Sequence, residues 1–256
     1  MSLRADDMTD LCFLDREDGE KLAYRQAAGA GPGIVWVGGF RSDMEGTKAA
    51  FVADWAARKG RACLRFDYYA HGGSTGDFAK GTLTRWLDDA LTAFDRLSTG
   101  KQIVVGSSMG GWISNLLVRA RPERVAGVIW LAPAPDFTEG LIWDLMAEEV
   151  RREVMDKGQW LYTSEDESYP ITRALIESGR KHLVLDRPLK VSFPVRILHG
   201  MADRDVPWRR TLKLVETLEG DVRVTFLKNS EHRLSSPADI KLLEQTLDAL
   251  AEEIGA

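Results

Sequence analysis

Two adjacent serines stand between glycines in the stretch "IVVGSSMGGW", which begins at position 103. A serine in such a setting can act as the nucleophile of acyl transfer. The pattern Gly-x-Ser-x-Gly requires glycine two positions before and two positions after the reactive serine. Centred on Ser107 the pattern fails at both glycine positions, whereas centred on Ser108 it finds Gly106 and Gly110. The spacing therefore indicates Ser108 as the candidate nucleophile.

The residues around Ser108 also predict the geometry that a nucleophile needs. An apolar run leads into it, and a helical pattern begins directly after it. A chain that turns from strand to helix at one residue strains that residue, lifts its side chain from the sheet edge and favours glycine two positions away. The start of the helix also favours developing negative charge. A turn that merely joins a strand to a helix is the alternative interpretation.

A serine hydroxyl needs a base, and the chain has four histidines, His71, His182, His199 and His232. His232, in "KNSEHRLSS", follows the last predicted strand and lies downstream of a carboxylate, which is the Ser, acid, His order of this motif. We interpret His199 as a packed strand-end residue, His71 as part of a glycine-rich turn and His182 as part of a helical segment. A solvated loop histidine is the alternative for His232.

Two aspartates follow the strand "VRILHG" and can supply the acid that orients the imidazole. Asp203 lies nearer the strand end, so spacing favours it, and Asp205 is interpreted as a turn or surface residue. The oxyanion also needs donors. The backbone N–H of Met109, directly after the nucleophile, is the first candidate. The backbone N–H of Phe40 is the second, because the glycines before it let the chain approach the substrate.

These residues need a scaffold that brings distant segments together. Apolar runs alternate with segments of helical spacing, which is typical of a parallel sheet and its right-handed crossover helices. An N-terminal hairpin is predicted to turn at Asp18-Gly19. The later strands are "GIVWVGGF", "ACLRFDYY", "QIVVGS", "VAGVIWLAPAP", "VRILHG" and "VRVTFL". The predicted fold class is α/β, with a mostly parallel eight-stranded sheet and helices on both faces.

The alternation stops between residues 136 and 188, where the sequence is helical, charged and aromatic and shows no buried strand. We predict a core of residues 1–135 and 189–256, with residues 136–188 inserted as a helical cap over one end of the sheet. A peripheral helical decoration is the alternative. The apolar side chains of this segment either hold the cap together or wall an acyl pocket; they include Leu141, Ile142, Trp143, Met146, Met155, Trp160 and Tyr162.

Composition limits what else the chain can be. A net charge of −5 disfavours a nucleic-acid backbone as partner. The two cysteines and four histidines form neither a disulfide framework nor a zinc pattern, and reduced thiols indicate a cytoplasmic protein. Residues 1–10 have the character of neither a secretory signal nor a transit peptide. No run approaches the ~18 apolar residues that a membrane span needs.

Taken together, these residues resemble the α/β-hydrolase superfamily over nearly the whole chain. The motifs are "VGGFRSDMEGTKA", "RFDYYAHGGSTG", "VGSSMGGW", "LHGMADRDVPW" and "SEHR". They are most similar to the group that contains a mitochondrial palmitoyl-protein thioesterase, which also cleaves acyl-glucuronides. The resemblance implies the α/β-hydrolase fold and a triad of Ser108, Asp203 and His232, because the family's acid is the first aspartate of its His-Gly-x-x-Asp motif.

Two positions depart from the family pattern. The loop that often begins His-Gly reads Gly38-Gly39 here, and Ala70 replaces the first glycine of the Gly-His-Gly-x-Ser turn. Neither change removes a catalytic group.

The sequence thus predicts a carboxylesterase or acyl-protein thioesterase-like enzyme that works through an acyl-enzyme. It implies no metal or organic cofactor, a small-molecule or acylated-protein substrate, and no membrane span. Three alternatives compete. A dehalogenase or epoxide hydrolase would need aspartate in place of Ser108. A cofactor-free haloperoxidase could use the same triad. A binding protein on this fold usually lacks a triad member, whereas all three candidates are present here. The acyl group and the oligomeric state stay open.

Overall fold

The computed structural model describes residues 10–164 and 167–255. The expectation about a targeting segment rests on the first ten residues, of which 1–9 lie outside the described part. The strands are β1 Cys12–Asp15, β2 Lys21–Ala27, β3 Ala30–Val37, β4 Arg61–Phe66, β5 Gln102–Ser107, β6 Val125–Leu131, β7 Gln159–Thr163, β8 Ser168–Thr172, β9 Leu189–Lys190, β10 Val195–Gly200, β11 Leu218–Glu219 and β12 Val222–Leu227. The helices are α1 Thr47–Arg58, α2 Leu83–Leu97, α3 Met109–Ala120, α4 Glu148–Lys157, α5 Arg173–Arg180, α6 Arg209–Glu216 and α7 Pro237–Glu253.

Eight of these strands form one sheet in the order β1-β2-β4-β3-β5-β6-β10-β12. The pairs from β4 to β12 are parallel, and the pairs of β2 with β1 and with β4 are antiparallel. The register aligns Val37 with Gly106 and Ser107 with Leu131, so the carboxyl ends of the central strands meet at one edge. The mostly parallel sheet predicted from the sequence is confirmed.

Strand β5 shows why the central strands read as continuous apolar runs, because all its residues are buried. Val104 packs on one face of the sheet, in the same cluster as Trp112 of α3 and side chains of α2. Ile103 and Val105 pack on the other face with side chains of α1 and α7, among them Trp55. Helices therefore cover both faces, as a buried parallel sheet requires.

The inserted segment contains a hairpin that the sequence analysis did not predict. After a π-helical turn at Thr138–Trp143 and helix α4, strands β7 and β8 pair with Tyr162 opposite Tyr169. Leu161 hides the alternation of β7, because this apolar residue occupies an outward position and is 59% exposed. The segment "QWLYT" therefore looks like a short apolar run rather than a half-buried strand.

The two ends of the insertion are bonded to each other, and the second end is bonded to the core. The Asp136 carboxylate accepts hydrogen bonds from the N–H groups of Val184 and Leu185 at 2.9 and 3.0 Å. The indole N–H of Trp112 donates to the carbonyl of His182 at 2.9 Å, and the His182 ring contacts the Thr84 hydroxyl of α2 at 2.8 Å. The boundaries at 136 and 188, and the role of a cap, stay predictions.

The two glycines around Ser108 let α3 begin in contact with the sheet. A Cβ on Gly106 would lie 2.4 Å from Ser114 Oγ and 2.5 Å from the carbonyl oxygen of Gly110. A Cβ on Gly110 would lie 2.0 Å from the carbonyl oxygen of Val37, at the end of β3. These contacts are with backbone or buried atoms, so no flexible side chain can move to make room.

We expect Gly110→Ala to lower the free energy of unfolding by about 3 kcal/mol, because α3 must shift away from β3 to accept the methyl group. Urea denaturation of the purified protein measures this change. Gly46→Ala is the matched control, since a Cβ there meets nothing closer than 3.7 Å and its φ is −59°. Equal stability of the two variants would contradict the steric explanation.

Candidate active site

Ser108 lies at the sharp turn between β5 and α3. Its φ of 55° and ψ of −120° are strained for a residue with a side chain, as the sequence predicts. Its N–H donates to the carbonyl of Leu131 at 2.9 Å, and its own carbonyl accepts from the N–H groups of Gly111 and Ala134 at 2.8 and 3.0 Å. These bonds hold the turn, so the hydroxyl has a fixed position at the sheet edge.

Three side chains from separate loops meet at this turn. Ser108 Oγ lies 2.9 Å from His232 Nε2, and His232 Nδ1 lies 2.7 Å from Asp203 Oδ2. A carboxylate oxygen can only accept, so Nδ1 carries the proton and Nε2 is left to accept from the serine hydroxyl. The structure thus brings together the three residues of the predicted triad, in the order that removes a proton from serine.

The Asp203 carboxylate is buried and fully hydrogen-bonded. Its Oδ1 accepts from the N–H groups of Asp205 and Val206 at 2.9 and 2.8 Å, and its Oδ2 contacts His199 at 3.2 Å as well as His232. Burial by itself raises the pKa of Asp203, but the hydrogen bonds from His199 and His232 outweigh it and hold the pKa well below its usual range. The group is therefore an anion at neutral pH.

His199 has a function that the sequence interpretation missed. It is fully buried, as expected of a strand-end residue. Its Nε2 faces the carbonyl of Val206 at 2.9 Å and the carboxylate of Asp203, which are both acceptors, so Nε2 must carry the proton. Its Nδ1 then accepts from the Thr211 hydroxyl at 2.7 Å. The signal was the spacing of four residues between His199 and Asp203 across the strand end.

Asp205 takes no part in the bond to the imidazole. One of its oxygens lies within 4.8 Å of ligand atoms of Asp203 and His232, an arrangement that could suggest a metal site. Both oxygens of Asp203 and Nδ1 of His232 are, however, already engaged in hydrogen bonds. A cation would find only Asp205 and His232 Nε2, too few ligands for a protein metal centre. The aspartate that contacts His232 is therefore Asp203, which the sequence analysis favoured because it lies nearer the strand end.

The two predicted oxyanion donors border the serine. Met109 is the first residue of α3, so its N–H has no acceptor within the helix. Among residues 10–164 and 167–255, the Phe40 N–H has no hydrogen-bond acceptor either. Gly39 lets this loop pass close to the nucleophile, because a Cβ on Gly39 would lie 3.4 Å from Ser108 Cβ. Both N–H groups are thus available to a ligand at Ser108.

His71 holds the loop that carries Phe40. The N–H of Arg41 donates to His71 Nε2 at 3.1 Å, and His71 Nδ1 donates to the carbonyl of Tyr69 at 3.0 Å. Burial lowers the pKa of His71, which keeps the ring neutral and Nε2 able to accept. Ala70, which replaces the family's glycine, has a φ of 57°. The left-handed conformation explains why glycine is common at that position.

Arg41 joins the same loop to the insertion. It too has a positive φ, of 56°. Its guanidinium bonds to Glu167 at 2.8 Å and stacks on the ring of Tyr169, with Cζ 4.4 Å from the ring centroid. The hairpin and the loop that carries Phe40 are therefore in direct contact.

An apolar cavity of about 590 Å³ opens from the serine beneath the insertion. Five of the residues proposed for an acyl pocket line it, whereas Trp143 and Met155 do not. Arg151 and Arg180 stack on Trp143 instead. The lining residues from the insertion are Phe137, Leu141, Ile142, Leu145, Met146, Ala147, Val150, Trp160, Tyr162, Glu167, Tyr169 and Ile171. No helix among the described residues is both long and apolar enough to cross a membrane.

Comparison with known proteins identifies the family of this chain. The human "Palmitoyl-protein thioesterase ABHD10, mitochondrial" is 39% identical over 250 residues, which cover 96% of this chain and 81% of the human protein. The structure of mouse α/β-hydrolase domain-containing protein 10 matches with a TM-score of 0.89 and 36% identity, over 96% of this chain and 99% of that chain.

Two further matches agree with this result. Ferulic-acid-bound Est1E from Butyrivibrio proteoclasticus has a TM-score of 0.80 at 21% identity, covers 96% of this chain and 100% of that chain, and shares the fold. A family model described as "Serine aminopeptidase, S33" matches residues 34–174. The chain therefore belongs to the serine aminopeptidase S33 family of α/β-hydrolases, in the group that contains the palmitoyl-protein thioesterase ABHD10, and it is a hydrolase.

Proposed function

We propose that this hydrolase cleaves carboxylic thioesters and esters through an acyl-enzyme formed on Ser108. The observation that carries the proposal is the pair of hydrogen bonds that links Ser108 Oγ to His232 and His232 to Asp203, at 2.9 and 2.7 Å. This linkage gives a serine that is inert on its own a base within hydrogen-bond distance.

The first half of the reaction forms the acyl-enzyme. Ser108 Oγ attacks the carbonyl carbon while its proton passes to His232 Nε2, and the N–H groups of Phe40 and Met109 bind the oxyanion. The carbon–sulfur or carbon–oxygen bond then breaks, and the leaving thiol or alcohol takes the proton from His232. Asp203 stabilises the imidazolium throughout, since it is anionic and bonded to Nδ1.

The second half restores the enzyme. A water molecule gives a proton to His232 Nε2 as its oxygen attacks the acyl carbon, and Ser108 Oγ leaves and regains that proton. The products are the carboxylic acid and the free thiol or alcohol. These steps use side chains and backbone amides alone, so we propose that no metal or organic cofactor takes part.

The apolar cavity supports an acyl chain as the part of the substrate on the carbonyl side. Its walls include Leu141, Ile142 and Met146, and it reaches Ser108 directly. The name of the human relative, a palmitoyl-protein thioesterase, supports an acylated substrate. We therefore propose that residues 136–188 act as a cap that walls the acyl site, and that the substrate is a small acylated molecule or an acylated protein.

We also propose that the protein works in a reducing compartment and that a nucleic acid is not its partner. Cys12 and Cys63 are both free thiols, and burial raises the pKa of Cys63 to about 12. Free thiols support a reducing compartment such as the cytoplasm. The human relative, in contrast, is named as a mitochondrial protein.

Ser108→Ala should lower kcat for a p-nitrophenyl ester by at least ~10⁴-fold, because the nucleophile is lost while the fold is kept. Ser107→Ala is the matched control, since the neighbouring hydroxyl does not contact His232, and it should stay within tenfold of the parent. Labelling by a fluorophosphonate probe should follow the same pattern. Turnover by folded Ser108→Ala protein would reject the assignment.

A series of p-nitrophenyl esters from acetyl to long acyl should show kcat/KM rising by up to about fourfold per methylene until the cavity is filled, since each buried methylene contributes ~0.8 kcal/mol. Met146→Trp should shift the optimum to shorter chains, because the larger ring enters the cavity. Glu149→Trp on the exposed side of α4 should leave the profile unchanged. A flat profile would argue against an acyl site in this cavity.

A further inference from the structure

A second cavity of about 560 Å³ opens from the same serine in another direction. Both cavities share Ser108 and His232 in their walls. The second cavity is otherwise bounded by the start of α1, the segment from Gly39 to Gly46 and the loop that follows His232. Its walls are polar and charged, and they include Arg41, Asp43, Thr47, Lys48, Glu167, Asp205, Arg233 and Ser235.

The chemistry of acyl transfer requires two spaces around the carbonyl. One space holds the acyl chain, and the other holds the group that departs with a proton from His232 Nε2. An acyl chain gains most from the apolar cavity, because its methylene groups leave water there. The leaving group then lies in the polar cavity, whose wall includes His232 and, further along the same loop, Arg233 and Ser235.

Lys48 gives this cavity an ammonium group without a carboxylate partner. It is the second residue of α1, and its Nζ donates to the carbonyl oxygen of Arg233. Among the residues that the structure describes, Nζ forms no ion pair with a carboxylate. A cation at the start of a helix is opposed by the helix dipole, and the first turn of α1 has no acidic residue to compensate it. The position is thus costly for stability.

Arg233 adds a second positive charge to the same wall. Its guanidinium is exposed, and it has neither a hydrogen bond nor an ion pair within the described part of the chain. Burial lowers the pKa of Lys48 to about 8; the charges of Asp239 and Asp203 raise it in part, and the nearby charge of Arg233 lowers it. Lys48 Nζ bonds to the backbone of Arg233 and both side chains line the cavity, so the two positive charges lie in the same wall and repel each other.

The acidic residues that line the cavity contact other groups. Glu167 bonds to Arg41 at 2.8 Å. Asp205 has an oxygen within 4.8 Å of the His232 ring, where its charge faces the imidazole. Asp43 Oδ1 accepts the N–H of Glu45 at 2.9 Å. None of these three carboxylates forms an ion pair with Lys48 or Arg233 among the described residues.

We propose that the polar cavity is the leaving-group site and that it selects thiols or alcohols bearing an anionic group, carboxylate or phosphate, bound by Lys48 and Arg233. The inference rests on the proposed function, since a leaving group exists only if Ser108 is acylated. An anion here would relieve the repulsion of the two cations and satisfy the free N–H donors of the ammonium.

Two matched pairs of octanoyl thioesters test the site. The first compares S-octanoyl-3-mercaptopropionate with its neutral primary amide, and the second compares S-octanoyl-2-mercaptoethyl phosphate with its neutral dimethyl ester. We expect kcat/KM to be about tenfold or more higher for at least one anion than for its neutral partner, as a hydrogen bond to a charged group provides. The larger ratio identifies the preferred anion. Equal rates within both pairs would overturn the proposal.

Two variants test whether Lys48 and Arg233 cause the preference for an anionic leaving group. Lys48→Met and Arg233→Gln should each lower the anionic-to-neutral ratio several-fold, and Lys101→Met is the control. Lys101 is exposed and precedes the opposite end of β5 from Ser108, so its loss should leave the ratio at the parental value. A parental ratio in both Lys48→Met and Arg233→Gln would assign the preference elsewhere and reject this site.

The ratio should also depend on pH. Because the Lys48 pKa lies at about 8, its ammonium loses its proton between pH 7 and 9, and the anionic-to-neutral ratio should fall over that range. The other charged groups that face Lys48 are the Arg233 guanidinium and the carboxylates of Asp203 and Asp239. Any effect of pH on the acyl-transfer step itself cancels in the ratio, because both substrates undergo the same step. Lys48→Arg should keep the ratio constant, and a parallel fall in that variant would contradict the assignment.

The outcomes separate this inference from the proposed function. If Ser108→Ala hydrolyses the neutral thioesters as fast as the parent, the acyl-enzyme itself is wrong. If hydrolysis depends on Ser108 but shows no preference for either anion, the acyl-enzyme stands and the anion site is wrong.

Discussion

The close contact between the start of α3 and the end of β3 is the constraint on which the site depends. Gly110 allows the helix to begin against the carbonyl of Val37, and Gly106 makes room for the chain to reverse. The turn therefore strains Ser108 and presents its hydroxyl at the sheet edge. The same contact brings the loop after β3 beside the nucleophile, so one packing arrangement sets both the serine and one of its candidate oxyanion donors.

Around this turn, histidines hold the polar groups in place in three different ways. His232 spans the gap between the serine and the acid. His199 donates to the same acid, and its own tautomer is fixed by the carbonyl of Val206. His71 accepts the N–H of Arg41 and is kept neutral by burial. Each ring has acceptors or donors that specify where its proton lies, so the site is ordered before a substrate binds.

The sequence was sufficient for the sheet and for the convergence at Ser108, because buried parallel strands and the Gly-x-Ser-x-Gly turn have strong local patterns. It was insufficient where an interaction links residues far apart or where an apolar residue faces outward. Leu161 concealed the hairpin of the insertion in this way. The bond from His71 to Arg41 spans 30 residues, and no periodicity encodes it. Which apolar side chains of the insertion line the cavity depends on which of its faces turns inward. The sequence could not show that Trp143 and Met155 lie outside the lining.

The contact of Arg41 with Glu167 and Tyr169 has a mechanical consequence. Arg41 adjoins Phe40 and keeps an unfavourable backbone angle while its side chain is anchored on the hairpin. A displacement of the hairpin from the core would break these two contacts and remove the anchor of the Arg41 side chain. The geometry of the loop beside Ser108 is therefore coupled to the position of the hairpin.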